Sequence, residues 1–115
     1  MAAASTAAAA IDDKKGLRVA VLDVSRLLVV TDLFVIATGT SRRHVRTLAE
    51  ETEAKLKESD RRPLRREGTD DGQWVLLDYG DIVVHVFDEA TRDYYDLERL
   101  WGDAPRLEWE SVSTS

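Results

Sequence analysis

Two apolar runs separated by four residues constrain this chain more than any other feature. Trp74–Leu77 and Ile82–Phe87 flank Asp78-Tyr79-Gly80-Asp81. Aspartate and glycine at a break between runs rich in valine, leucine and isoleucine predict a β-hairpin. A helical pattern follows, with Tyr94, Leu97, Leu100 and Trp101 on one stripe. Gly102 and Pro105 are placed to stop it. A chain with this hairpin needs further strands and a covering layer, because an isolated hairpin is marginal in water.

The preceding residues supply both. Leu17–Val24 reads as a buried strand, Ser25-Arg26 as a turn, and Leu27–Val30 with Leu33–Thr38 as a second strand or one kinked at Thr31-Asp32. Near-continuous apolar runs imply a sheet covered on both faces. Gly39-Thr40-Ser41 ends the strand, Ser41 is a good N-cap, and a helix is expected to about Ser59. Its apolar stripe is Val45, Leu48, Ala49, Thr52 and Leu56. Arg42, Arg43, His44 and Arg46 oppose the dipole of its first turns. They read either as a functional face or as a solvated surface offset by Glu50, Glu51 and Glu53. Pro63 favours an edge position for a short strand at Leu64–Glu67, and Gly68–Gly72 is a polar turn. Residues 1–16 read as an Ala-rich helix or a frayed tail, with an organellar leader as a third option. Residues 17–105 read as one α/β domain with a single mixed sheet of about five strands. Residues 106–115 read as a polar tail in which Trp109 is able to dock.

Composition narrows the function. The formal charge of −6 over 115 residues argues against nucleic acid as the main partner and favours a basic protein. Cysteine is absent, which removes thiol and disulfide chemistry and suits a reducing cytoplasm. No apolar run approaches the length of about 18 residues that marks a membrane span, and no secretory signal opens the chain.

Three groupings bear on chemistry. Asp78, Asp81 and His85 combine carboxylates with an imidazole, a set able to hold a metal. The plainer reading makes the aspartates turn residues and His85 a sheet or interface group. Gly39-Thr40-Ser41 lies between a strand and a helix, where an anion can bind. No Asp-x-Asp pair accompanies it, so two-metal phosphoryl transfer has no ligands. The third grouping interleaves Trp74, Tyr79, Tyr94, Tyr95 and Trp101 with Asp78, Asp81, Asp96, Glu98 and Arg99, the residue types of a protein interface. These observations favour a binding module with no cofactor over an enzyme. The rival is a small nucleotide- or phosphate-binding enzyme built on Gly39-Thr40-Ser41 and Asp78, Asp81 and His85.

WVLLDYGDIVVHVF followed by YYDLERLWGDAP, with TDLFVIATGTSRRHV upstream, closely resembles the ribosomal silencing factor family, also called Iojap-like. The resemblance covers roughly Leu17 to Pro105. It implies a fold like that of nucleotidyltransferases without their catalytic carboxylates. It also implies a cytoplasmic translational repressor that binds the fourteenth protein of the large ribosomal subunit. Bound there, the repressor blocks joining of the small subunit when nutrients are scarce. Free members of the family form dimers. The implied contact residues are Trp74, Asp78, Tyr79, Asp81, His85, Tyr94, Tyr95, Glu98, Leu100 and Trp101. Trp74, Tyr79, Asp81 and His85 are expected to line the sheet-side contact together. On that reading Tyr79→Ala weakens partner binding with little change in the thermal midpoint.

Overall fold

A computed structural model describes residues 2–96, 99 and 102–109. The elements follow as α1 (Ala2–Asp13), β1 (Leu17–Asp23), β2 (Leu33–Gly39), α2 (Arg42–Glu58) and β3 (Arg65–Glu67). After these come β4 (Trp74–Asp78), β5 (Ile82–Asp88), α3 (Glu89–Tyr95) and β6 (Arg106–Leu107). The strands form one sheet in the order β3-β4-β5-β2-β1-β6. β2 and β5 run parallel at its centre, in register from Leu33↔Ile82 to Gly39↔Asp88. Every other neighbouring pair is antiparallel.

The expected hairpin is present. Trp74 pairs with Phe87 and Asp78 with Val83. Asp78 Oδ1 accepts from the Gly80 N–H at 2.8 Å, and Gly80 takes a φ of +90°, where a side chain is strained. All seven residues of β2 are buried, and six of seven in β5, as two-sided coverage requires.

One face of the sheet carries α1 and α2. Val21, Val35, Ala37, Val75, Leu77, Val84 and Val86 meet the helix side chains there. The α2 stripe is as expected: Val45, Leu48, Ala49, Thr52 and Leu56 are all buried. Ser41 caps the helix by accepting from the His44 N–H at 3.0 Å. α1 docks through Ala4, Ala7, Ala8 and Ile11, all fully buried. It is helical from Ala2, so the frayed-tail alternative for the first residues does not hold. Small side chains let its axis come close, and Gly16 then folds beneath it, where an added Cβ would lie 2.3 Å from Ile11 Cγ2. Paired bonds close both long helices: Lys15 N–H to Asp12 O with Gly16 N–H to Ile11 O, and Asp60 N–H to Lys57 O with Arg61 N–H to Leu56 O.

The opposite face gathers Leu22, Val24, Phe34, Ile36, Val83, Phe87 and Ala104, with Leu28, Trp74 and Leu76 half-buried against them.

Two expectations are corrected. Leu27–Val30 is not a strand. Asp23 Oδ1 accepts from both the Ser25 N–H and its hydroxyl, which starts a tight turn. The Leu27 and Leu28 N–H groups then both bond Val24 O, so neither reaches a ladder. Arg106 and Leu107 are not tail: they pair with Leu22 and Val21 and add a sixth strand to the expected single mixed sheet. Beyond them Trp109 is half-buried and packs on the helix-side core.

Candidate functional site

The residues singled out in the sequence divide between the two faces of the sheet. Trp74 projects from the first position of β4 onto the face away from α1 and α2. Its Nε1–H donates to His85 Nδ1 at 3.1 Å, two residues of adjacent strands on the same face. Phe34 meets the His85 ring edge-on at 4.7 Å between centroids. The Trp74 ring lies 4.9 Å from Phe87 and 4.8 Å from Tyr95. Tyr94 meets Tyr95 edge-on at 5.0 Å. A chain of rings therefore runs from buried His85 outward to Tyr94, which is 81% exposed. Aromatic pairs in such edge and tilted geometries contribute about 0.5–1.5 kcal/mol each beyond their buried area.

α3 carries the outer rings. Asp88 caps it by accepting from the Thr91 N–H at 2.8 Å, and Asp96 closes it in the left-handed region at φ 42°. Arg92 is turned inward and buried, donating to Thr38 Oγ1 at 2.8 Å. Asp93 reaches across to Arg18 on β1 at 2.9 Å. Of the expected helical stripe, Tyr94 lies on α3, which ends at Tyr95. Leu97, Glu98, Leu100 and Trp101 lie outside the described residues.

Within this face His85 has an unusual position. It is 5% exposed, and burial pushes its pKa down to about 4 against the opposing pull of the Asp78 carboxylate. Because Nδ1 accepts from Trp74, Nε2 bears the proton. Nε2 is buried and meets no acceptor among the described residues.

Tyr79 and Asp81 lie elsewhere. Tyr79 is 5% exposed within the helix-side core, and its hydroxyl has no hydrogen-bond partner there. Asp81 pairs through both oxygens with Arg61, which also donates to Tyr79 O at 3.2 Å and lies 5.7 Å over the Tyr79 ring. The Arg61 guanidinium holds the Asp81 carboxyl below its ordinary pKa. The four residues expected to line one contact therefore separate into Trp74 with His85 and Tyr79 with Asp81. Tyr79 belongs to the core, which overturns the expectation of an unchanged midpoint in Tyr79→Ala.

The metal and phosphate groupings are not assembled. Asp78 serves the Gly80 turn and lies 3.6 Å from Arg65, Asp81 is committed to Arg61, and His85 is committed to Trp74. Among the described residues no three His, Asp or Glu side chains converge as metal ligands. At Gly39-Thr40-Ser41 part of the donor set of an anion site is taken up internally, including the His44 N–H by Ser41. The Thr40 N–H donates to His44 Nδ1 at 2.9 Å, and the Val45 N–H to Ser41 O. His44 Nε2 in turn meets Lys14 O at 2.8 Å, tying α1 to α2. A Cβ on Gly39 would lie 2.8 Å from Val45 N, so strand and helix nearly touch there. The basic first turn of α2 faces the Gly68–Gly72 loop, with Arg42 3.6 Å from Asp71 and Arg46 bonded to Asp70 O.

Several participants escape a reading of the sequence. Phe34 and Phe87 look like ordinary strand residues, although their parity with His85 places them on its face. Nothing local marks Arg61 or Arg92 for burial or pairing.

The fold and this face define a small α/β domain with an aromatic surface and no assembled catalytic group among the described residues. A family model described as "Ribosomal silencing factor during starvation" matches residues 1–115. Ribosomal silencing factors from Halalkalibacterium halodurans and Bacillus subtilis are similar to the chain. They are 43% identical over 90% of this chain and 88% of the relative, and 44% identical over 86% and 84%. A crystal structure of a protein from Chromobacterium violaceum superposes with a TM-score of 0.85 at 44% identity, over 88% of this chain and 84% of that one. The chain belongs to the ribosomal silencing factor family.

Proposed function

We propose that this protein silences translation in the cytoplasm by occupying the large ribosomal subunit at its fourteenth protein, so that the small subunit cannot join. It acts as a steric block and catalyses no reaction. The observation that carries this reading is the ring chain from His85 through Trp74 and Tyr95 to Tyr94, which opens onto the surface beside acidic groups. Trp and Tyr supply large contact areas with few rotatable bonds, the usual anchors of an interface. Glu89 and Asp93 on the exposed side of α3, with Asp78 on the sheet, suit a basic ribosomal protein. The outer rings make the contact, and Trp74 and His85 hold them in place from beneath. Tyr79 and Asp81 act at one remove, by fixing the hairpin from the other face. Glu98, Leu100 and Trp101 are assigned to the same surface through the family resemblance. Free protein self-associates, and the dimer stores it away from the ribosome.

Sedimentation with isolated subunits tests this. The protein co-migrates with the large subunit and not the small one. Tyr94→Ala weakens that association by about tenfold or more, the effect of an interface anchor, and shifts the thermal midpoint by less than about 2 °C. Co-migration unaffected by Tyr94→Ala would remove the α3 rings from the contact. Absence of co-migration at low salt would remove the ribosome from the reading.

A further inference from the structure

Four non-glycine residues among those described take a positive φ. Lys15, Asp60 and Asp96 follow α1, α2 and α3, where a left-handed residue closes the last turn. Arg18, at φ 51°, does so inside a strand. Leu17 pairs with Thr38 and Ala20 with Ile36, so three steps along β1 match two along β2. The extra residue makes a bulge, and a left-handed position in a bulge normally belongs to glycine. An arginine kept in such a backbone is held there by the structure around it.

What it meets there is α3. The Arg18 Nη1–H donates to Asp93 Oδ1 at 2.9 Å, across 75 positions of sequence. The preceding residue of α3, Arg92, donates to Thr38 Oγ1, and Thr38 pairs with Leu17 at the edge of the bulge. The Tyr95 ring lies 4.8 Å from Trp74. Arg92, Asp93 and Tyr95 are thus anchored to β2, β1 and β4 in turn, and Tyr94 between them is left exposed. Seven residues are too few for a helix to hold its own shape in water, so contacts of this kind set where α3 and its rings lie.

We propose that Arg18 is a positioning residue for the ribosomal contact. Its bulge and its bond to Asp93 hold α3 so that Tyr94 and Tyr95 are presented in one arrangement. This rests on the reading above that the ring surface is the contact. Arg18 and Asp93 are both well exposed to solvent, and an exposed ion pair adds little to global stability. Its effect is local. When α3 samples several arrangements the partner binds only the competent one, and the apparent affinity falls with the fraction populated. Backbone strain at Arg18 and order in α3 therefore register in different measurements, the first in stability and the second in affinity.

Three measurements on the wild type, Arg18→Gly and the exchanged pair Arg18→Asp with Asp93→Arg separate these effects. They are amide hydrogen exchange of the free protein, thermal unfolding, and titration with isolated large subunits. Glycine accepts the left-handed backbone and removes the guanidinium. In Arg18→Gly the α3 amides exchange about three- to fivefold faster, the range an exposed ion pair supports, and those of β2 and β5 are not accelerated. The midpoint stays level or rises by about 2–5 °C as the strain is relieved. Affinity for the large subunit falls by the same factor of about three to five. Aspartate tolerates the left-handed region, so the exchanged pair re-forms the ion pair in the opposite sense and returns α3 exchange to the wild-type rate.

Unchanged α3 exchange in Arg18→Gly overturns the proposal. So does exchange that stays fast in the exchanged pair, because Arg18 would then act through something other than Asp93. A lower midpoint with faster exchange throughout the sheet overturns it as well, since that is the mark of a purely structural role. A loosened α3 that still binds the large subunit with wild-type affinity overturns it by separating the anchor from the contact. A wild type that ignores the large subunit, with α3 loosened in Arg18→Gly and restored in the exchanged pair, supports the Arg18–Asp93 anchor while removing the ribosomal reading.

Discussion

Tyr79→Ala lowers folding stability by about 3–5 kcal/mol, the loss expected when a buried aromatic side chain is removed from a packed core. Tyr79 is enclosed by the helix-side cluster, with the Arg61 guanidinium over its ring. In a domain of this size the midpoint falls by more than about 10 °C. Tyr79→Phe goes the other way. The Tyr79 hydroxyl is buried without a partner, and such a group costs about 1–3 kcal/mol in desolvation. Its removal is neutral or raises the midpoint. Thermal unfolding of the two variants beside the wild type checks both signs. Burial also pushes the Tyr79 phenol from its ordinary 10.0 up to about 12. The folded chain therefore holds this proton more tightly than the unfolded one. Stability associated with it is complete below the ordinary value and declines as pH rises from there through the folded value.

The second large effect is a pH dependence traced to His85. Its folded pKa of about 4 is below the ordinary value of 6.5. The unfolded chain therefore takes up a proton that the folded chain refuses between these values. Stability from this group is complete above pH 6.5 and falls as pH drops towards 4. The total loss is about 3 kcal/mol, because each pH unit between the two values is worth about 1.36 kcal/mol. Urea unfolding at intervals between about pH 7 and pH 4.5 follows it. The carboxylates of Asp23 and Asp81 lie below their ordinary value of 3.8, so their losses fall at lower pH and do not mask it. His85→Gln keeps an acceptor near the Trp74 Nε1–H and flattens this slope relative to the wild type. Equal slopes in the two proteins would show that the imidazole ionises in place.

Much of the architecture is legible because local and long-range signals agree. The α2 stripe works because Val45, Leu48, Ala49, Thr52 and Leu56 recur at helical spacing and all five are buried. The hairpin works because alternation and turn chemistry point to the same register. α1 is harder, since an almost all-alanine segment has no polar face to mark which side docks. Leu27–Val30 misleads because four apolar residues read as a strand, while Asp23 starts a turn at Ser25 and Val24 O takes the Leu27 and Leu28 N–H groups. β6 is invisible because two residues after a proline carry no period.

The site shows a different kind of error. Trp74 and Tyr79 are five positions apart along nearly continuous strand geometry, and alternation alone sends them to opposite faces. Grouping them by residue type overlooks that parity. The same parity correctly unites Trp74 with His85 and adds Phe34 and Phe87. Arg61 and Arg92 are set by distant partners, Asp81 in one case and Thr38 in the other, and no local pattern announces such pairs.

The parallel pairing of β2 with β5 also has a consequence for synthesis on the ribosome. Leu33 must wait for Ile82, so the central pair cannot close until α2, β3 and β4 have emerged. The β1–β2 hairpin leaves the exit tunnel first, with β2 apolar on both sides and one edge unpaired. Until its neighbour arrives, that edge is open to wrong pairing with other chains. The nascent protein is thus most exposed to misassembly midway through translation, and slow decoding between β2 and β5 would lengthen that interval.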